Sequence, residues 1–158
     1  MGFLTSKSKQ IREALDKGFK LHERGDFYNA EKEYIKALKI DHKNSEAHLK
    51  YGDLLRMTER PRAAEKEYRH AIEHQPNFAE AHSALGEILH RQGKIAEAEQ
   101  EYRKAIESKE HYVTPRINLS TLLMDQGRFT EARDMLNEAL KVAKDPQLIQ
   151  YIQQQLQG

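Results

Sequence analysis

Residues 29–34 have the sequence NAEKEY, and the pattern returns as AAEKEY at residues 63–68 and as EAEQEY at residues 97–102. Each stretch ends in one of three tyrosines that stand 34 residues apart, Tyr34, Tyr68 and Tyr102. A fixed period of roughly 20–50 residues is typical of proteins built from stacked structural repeats. These stretches therefore predict a repeat protein rather than a domain with one closed core.

The same period governs the small and apolar positions along the chain. The small residue of each repeat is Gly18, Gly52, Gly86 or Ser120. The recurring apolar residues are Leu21, Leu55, Leu89 and Leu123, then Ala30, Ala64, Ala98 and Ala132, and then Ala37, Ala71, Ala105 and Ala139. We therefore predict four repeats, at 11–44, 45–78, 79–112 and 113–146, after a flexible leader at 1–10. Positions within a repeat are counted from its first residue, so that Gly18 and Gly52 hold position 8.

Each repeat is predicted to be a pair of α-helices joined by a short turn. In the third repeat, Leu85 and Leu89 share one face of a first helix, and Ala98 and Tyr102 share one face of a second helix. Gly93 lies between them and suits the left-handed residue that ends many helices. The small residue at position 8 lets the helices approach closely, and the large residue at position 24 fills the gap between layers.

The ends of the chain differ from the middle, as expected for a stack whose outer surfaces meet water. Lys17 and Lys20 stand in the first repeat where later repeats have apolar residues. After the fourth repeat, residues 147–158 place Leu148 and Ile152 on one helical side and glutamines on much of the rest. We predict that this segment is a capping helix that covers the last apolar face.

Composition excludes several classes of function. The 158 residues carry 26 Lys and Arg against 25 Asp and Glu, a net charge of +1, whereas a dedicated nucleic-acid binder is usually strongly basic. The chain has no cysteine, which excludes disulfides, thiol nucleophiles and cysteine-based zinc sites. No apolar run approaches the ~18 residues of a membrane helix, and no secretory signal opens the chain. We expect a cytoplasmic protein that neither enters membranes nor binds nucleic acid.

These residues resemble the tetratricopeptide repeat family. The period of 34 matches, as do the small residue at position 8, the alanines at positions 20 and 27, the aromatic at position 24 and Pro76 near the end of a repeat. The family's frequent tryptophan near the repeat start is replaced by Ala14, His48, His82 and Arg116. The resemblance implies an all-α, right-handed superhelical solenoid of antiparallel helix pairs. It also implies that the first helices line a concave groove for a peptide or partner helix, and that the protein is not an enzyme.

The groove-facing residues of the first helices form the candidate binding site. They are Leu15, Phe19, Leu49, Lys50, Asp53, Arg56, Glu87, Arg91, Ile117, Asn118 and Thr121. A face that meets only water would be almost wholly polar, so its apolar members indicate a groove for an amphipathic segment, with the basic residues attracting acidic side chains. Two other interpretations stay open: scattered surface apolar residues are normal, and an N-terminal segment with Phe3 and Leu4 could fold over Phe19.

One subfamily of these repeats captures the acidic C-terminus of heat-shock chaperones with a clamp of basic and asparagine side chains. The resemblance would place that clamp on three consecutive first helices. Of the residues at the corresponding positions here, such as Leu15, Leu49 and Ala84, only Asn118 fits the pattern. We therefore predict no chaperone-tail clamp in this chain.

Other chemistry finds little support in the sequence. His70 and His74 stand four residues apart, but no third ligand accompanies them, so we predict no metal site. His48 and His82 hold the same repeat position and are predicted to pack between layers. There is no phosphate-binding glycine loop and no catalytic motif, so neither a cofactor nor an enzyme is expected. Residues 1–6 formally fit the pattern for N-myristoylation, although a flexible leader explains them as well.

The sequence thus predicts a non-catalytic adaptor that binds a peptide or amphipathic helix of another protein. The alternative is a structural module that associates with further copies of itself through its groove or its ends. We expect a monomer.

Overall fold

The computed structural model describes residues 6–157, which form nine α-helices and no strand. The helices are α1 (Ser6–Glu23), α2 (Phe27–Ile40), α3 (Ser45–Met57), α4 (Pro61–His74), α5 (Ala79–Arg91), α6 (Ile95–Ser108), α7 (Val113–Asp125), α8 (Phe129–Val142) and α9 (Pro146–Gln157). The predicted all-α helical repeat is confirmed. None of the helices within the described range has the length and apolar character needed to span a membrane.

The turns inside the helix pairs use left-handed residues, as the glycines predict. Gly25, Gly93 and Gly127 have φ angles of 77°, 76° and 73°. The second repeat has Glu59 at this place with φ of 58°, and Pro61 then opens α4, where a missing backbone N–H costs little. The two helices of each pair therefore run back along each other.

A glycine facing a tyrosine fixes the distance between the helices of a pair. A Cβ atom added to Gly86 would lie 2.7 Å from the ring carbons Cδ1 and Cε1 of Tyr102. Gly18 and Gly52 face Tyr34 and Tyr68 in the same way. The tyrosine ring therefore packs directly on position 8 within one helix pair.

The fourth repeat changes both members of this contact. Ser120 replaces the glycine and Leu136 replaces the tyrosine, and both side chains are buried. A larger residue at position 8 is thus accompanied by a smaller one at position 24, as expected where two side chains share a fixed space.

The chain divides into two compact halves between Pro76 and Asn77. In the N-terminal half, residues 6–76, α1 packs on α2, α3 packs on α4, and α3 also contacts α1 and α2. The core cluster consists of Ile11, Ala14, Leu15, Ala30, Tyr34, Ala37, Ala47 and Leu54. Its members come from three of the four helices, so neither helix pair buries its apolar face alone.

Helix α1 begins at Ser6, inside the range predicted to be a flexible leader. The Gln10 side chain donates to the Ser6 hydroxyl at 3.3 Å, and Lys9 and Glu13 form an ion pair one turn later. Ile11 is buried, so packing supports these side-chain contacts. Residues 1–5, with Phe3, Leu4 and most of the myristoylation pattern, lie outside the described residues.

In the C-terminal half, residues 77–157, two helix pairs are followed by α9. Asp145 caps α9 by accepting hydrogen bonds from the backbone N–H groups of Gln147 and Leu148. Pro146 therefore opens α9 instead of closing the fourth repeat. Ile152 is buried with Leu136 and Ala139, and Leu148 and Leu156 pack at the edge of this cluster. Helix α9 thus covers an apolar surface of α8.

Candidate functional site

The first helices of the N-terminal half expose two apolar side chains. Phe19 of α1 is 43 % exposed and Met57 of α3 is 53 % exposed. The Lys50 ammonium lies 5.4 Å from the centre of the Phe19 ring, within the range of a cation–π interaction. We call the surface formed by Phe19, Lys50, Asp53 and Met57 the N-terminal face.

Asp53 supplies a half-buried carboxylate on the N-terminal face. The Tyr68 hydroxyl donates a hydrogen bond to it at 2.9 Å. Burial raises the pKa of Asp53 above its ordinary value, while this hydrogen bond and the charges of Arg56, Lys50 and His22 act to lower it. The carboxylate therefore lies close to several cations, while its burial disfavours the charged form.

A second polar group lies beneath the same face. The Tyr34 hydroxyl is fully buried and has no hydrogen-bond partner among the described residues. Burial raises the pKa of Tyr34 to about 12, and the charge of Asp53 adds to that shift. A buried hydroxyl without a partner costs free energy, so a group that supplied one would stabilise this region.

The first helices of the C-terminal half present a more polar surface. Arg91 and Thr121 are exposed, and Glu87 and Asn118 are half-buried. We call these four residues the C-terminal face. Burial raises the pKa of Tyr102, and the nearby charge of Glu87 adds to that shift. An acid at position 9 and a tyrosine at position 24 therefore lie close together in both halves, as Asp53 with Tyr68 and Glu87 with Tyr102.

Three predicted groove residues do not line an open surface. Leu15 and Leu49 are each only 7 % exposed, and Leu15 belongs to the N-terminal core cluster. Ile117 packs against the cluster that contains Ile152 of α9. Leu15 shares its cluster with residues of α3, and Ile117 packs against the cluster that contains residues of α9. In the first and fourth repeats, the helix that begins the following segment therefore covers position 5.

A contact between successive first helices escaped the sequence analysis. The Nε2 atom of His22 lies 2.9 Å from the sulfur of Met57, and that of His90 lies 3.0 Å from a carboxylate oxygen of Asp125. Both pairs join position 12 of one repeat to position 13 of the next. Their shared separation of 35 residues is the signal that could have revealed them.

The histidines at position 4 are buried beside carboxylates within their own helix pairs. The Nδ1 atom of His48 lies 2.7 Å from Glu67, and that of His82 lies 2.6 Å from Glu101. The His48 ring also lies 5.2 Å and 5.9 Å from the rings of His70 and His74. These rings therefore pack inside a pair rather than between layers. Within residues 6–157, no group of three or more histidines and carboxylates is placed to hold a metal ion.

The His48 imidazole has a perturbed pKa. Burial lowers its pKa, but the hydrogen bonds with Glu67 and the His42 carbonyl, together with the charges of Glu67 and Asp41, raise it above the ordinary value. The ring is thus more readily protonated than a histidine in water.

Comparison with family models matches the chain to the tetratricopeptide repeat. One model of that description matches residues 89–156, and a second matches residues 58–112. Together they cover residues 58–156, which include most of the second repeat and all of the third and fourth. No curated protein sequence matches the chain.

Solved structures show the same fold at low sequence identity. A crystal structure of MamA is 24 % identical, with 79 % of this chain and 73 % of that chain covered and a TM-score of 0.72. YrrB, described as a TPR protein with an unusual peptide-binding site, is 19 % identical, with 94 % and 75 % covered and a TM-score of 0.73. The first TPR of Spaghetti (RPAP3), bound to an HSP90 peptide, is 18 % identical, with 75 % and 94 % covered and a TM-score of 0.71.

Proposed function

This chain belongs to the tetratricopeptide repeat family, and we propose that it is a non-catalytic adaptor that binds a segment of another protein on the exposed faces of its first helices. Repeats of this family are generally interaction modules. The observation that carries the proposal is the N-terminal face, where Phe19 and Met57 remain exposed beside Lys50 and the half-buried Asp53.

The chemistry of this face suits a peptide that combines apolar and acidic side chains. Phe19 and Met57 offer apolar contact area, and exposed aromatic residues are frequent anchors of binding energy. Lys50 and Arg56 attract carboxylates, which increases the rate of association. Asp53 can accept hydrogen bonds from backbone N–H groups of the peptide, which fixes its direction along the helices.

The structural relatives support a peptide as the ligand class. RPAP3 is described with an HSP90 peptide, and YrrB with a peptide-binding site. At 18 % and 19 % identity they share the fold with this chain. The predicted absence of the clamp residues from its sequence argues against a chaperone C-terminus as the ligand. We therefore propose a different peptide, selected by Phe19 and Met57.

A matched pair of aromatic residues tests which surface binds. Phe19 lies on a first helix, whereas Tyr28 lies on the second helix α2 and is 69 % exposed. Proteins captured from a lysate by the wild-type chain are identified, and their affinity is measured for Phe19→Ala and Tyr28→Ala. We expect Phe19→Ala to weaken binding by tenfold or more and Tyr28→Ala to leave it unchanged. The reverse result would contradict the proposal.

Light scattering on the same variants tests the self-association alternative. A wild-type chain that stays monomeric at high concentration agrees with an adaptor. Association that increases with concentration and is abolished by Phe19→Ala would instead indicate that this face binds another copy of the chain.

A further inference from the structure

A cleft of about 360 Å³ opens in the C-terminal half, and its lining includes no residue of the C-terminal face. It lies between the end of α7, the first turns of α8 and the end of α9. Its lining consists of Met124, Phe129, Arg133, Leu136, Gln155 and Leu156. We call it the terminal cleft.

The terminal cleft is apolar on its walls and carries one cation. Leu136 is buried at its base, Met124 and Leu156 are half-buried, and Phe129 is among the most exposed large apolar side chains of the described range. Arg133 supplies the positive charge and Gln155 a neutral amide. The cleft therefore offers apolar burial together with one site for an anion.

Arg133 holds position 21 of the fourth repeat, and the same position is Glu31 in the first repeat and Glu99 in the third. In each of those two repeats, an arginine of the following repeat contacts this glutamate. The guanidinium of Arg60 donates to both carboxylate oxygens of Glu31 at 2.9 and 3.0 Å. Arg128 contacts both oxygens of Glu99 at 2.7 and 3.3 Å. Each arginine stands 29 residues after its glutamate, at position 16 of the next repeat.

The fourth repeat reverses the charge at position 21. Arg133 stands where the first and third repeats have glutamate. Its Nη2 atom donates to the Leu156 carbonyl at the long distance of 3.4 Å, and within residues 6–157 no carboxylate forms an ion pair with it. A group that covers Arg133 as the arginines cover Glu31 and Glu99 must therefore be an anion.

We propose that the terminal cleft docks an acidic amphipathic segment of a partner protein. A carboxylate of this segment pairs with the Arg133 guanidinium, in the two-pronged geometry that suits arginine and carboxylate. A neighbouring apolar side chain enters the cleft over Leu136, between Met124 and Leu156, and Phe129 closes over it. This site uses none of the residues of the N-terminal face.

The test uses the full chain labelled with ¹⁵N and two synthetic helical peptides. One peptide places leucine and glutamate at helical spacing, and its twin has lysine for every glutamate. We expect the acidic peptide to cause saturable shifts of the Arg133, Gln155 and Leu156 amides, and the lysine twin to cause none. Arg133→Glu should weaken the acidic peptide by about tenfold or more and create binding of the lysine twin.

Controls separate charge recognition from altered folding. Lys141→Glu changes an exposed cation on the same helix outside the cleft, and it should leave the affinity unchanged. Phe129→Ala should weaken both peptide complexes, the acidic one with the wild type and the lysine one with Arg133→Glu. Melting curves of each variant show whether the fold is kept.

Several outcomes would overturn the proposal. No saturable shift at the cleft amides would do so, as would equal affinity of the acidic peptide for the wild type and for Arg133→Glu. Shifts confined to Phe19, Asp53 and Met57 would mean that acidic peptides use only the N-terminal face. A dimer that buries Phe129, detected by light scattering and abolished by Phe129→Ala, would show that a second copy occupies the cleft.

Discussion

The N-terminal and C-terminal halves have first-helix faces of the same geometry and different chemistry. In both halves, position 5 of a first helix is packed against a neighbour, as Leu15 and Ile117 show, while position 9 stays accessible. At position 9, the N-terminal half has Phe19 and Asp53, whereas the C-terminal half has Glu87 and Thr121. The repeat thus determines which positions are open, and the individual substitutions determine what they can bind.

We expect the largest effect from removing residues 146–158. This deletion exposes position 5 of the fourth repeat, whereas position 5 of the first repeat stays packed. The deletion uncovers Ile117 and Met124 and removes the buried Ile152 with the half-buried Leu148 and Leu156. Burying each large apolar side chain contributes about 1.5–3 kcal/mol, so we expect a loss of roughly 3–6 kcal/mol. Chemical denaturation measures this loss, and light scattering should show association. An unchanged midpoint would contradict the capping role of α9.

The next effect contrasts two positions of one helix, Leu15 and Phe19. Leu15→Asp places a charge in the N-terminal core and should cost about 3–4 kcal/mol. Phe19→Asp changes an exposed side chain and should cost less than about 1 kcal/mol. Urea denaturation of both variants measures the difference. Equal destabilisation would show that positions 5 and 9 are not distinguished by burial in this half.

We expect a smaller effect at the contact between positions 8 and 24, where the fourth repeat has different residues from the other three. Gly86→Ser should cost about 1–3 kcal/mol, because the new side chain would overlap the Tyr102 ring. The double variant with Tyr102→Leu reproduces the pair formed by Ser120 and Leu136, and it should recover part of the loss. Thermal melting of the single and double variants measures the coupling. Strictly additive losses would mean that the two positions do not share one space.

The smallest effect concerns the pH dependence of stability in the N-terminal half. The His48 pKa is raised in the folded chain, so protonation of His48 stabilises the fold. This contribution is complete below the unfolded pKa of about 6.5 and is lost as the pH rises through the raised folded pKa. Glu67 and Asp41 favour the charged ring, whereas His70 and His74, once protonated, oppose it.

The variant His48→Gln tests this assignment against the wild type between about pH 5.5 and 8.5. The stability difference between the two proteins should shrink as the pH rises. A Glu67→Gln variant removes the hydrogen-bonded carboxylate. Its stability should depend less on pH than that of the wild type, as expected for His48→Gln. A difference that is constant with pH would contradict the role of His48 protonation.

Periodicity predicts the helix pairs, because in each repeat apolar residues recur at helical spacing on two segments that a turn separates. It also predicts the turn glycines, whose left-handed backbone excludes most other residues. Burial at position 5 was not predicted, because Leu15 shares a helical face with Phe19, and only packing against α3 determines that Leu15 is the covered residue. The terminal cleft was missed for a related reason. The significance of the reversed charge at Arg133 depends on the contact between Arg60 and Glu31, which the sequence does not show.

The close sequence spacing of these contacts has a consequence for how the chain folds. His48 meets Glu67 after 19 residues, Arg60 meets Glu31 across 29, and His22 meets Met57 across 35. Chains whose contacts are local close only short loops on the way to the native state, and helical proteins of this kind fold in microseconds to milliseconds. Each half can therefore start to fold on its own as soon as one helix pair has emerged from the ribosome. Insertion or loss of a whole 34-residue repeat would leave the remaining contacts at the same spacing, so this architecture tolerates changes in length that a closed domain would not.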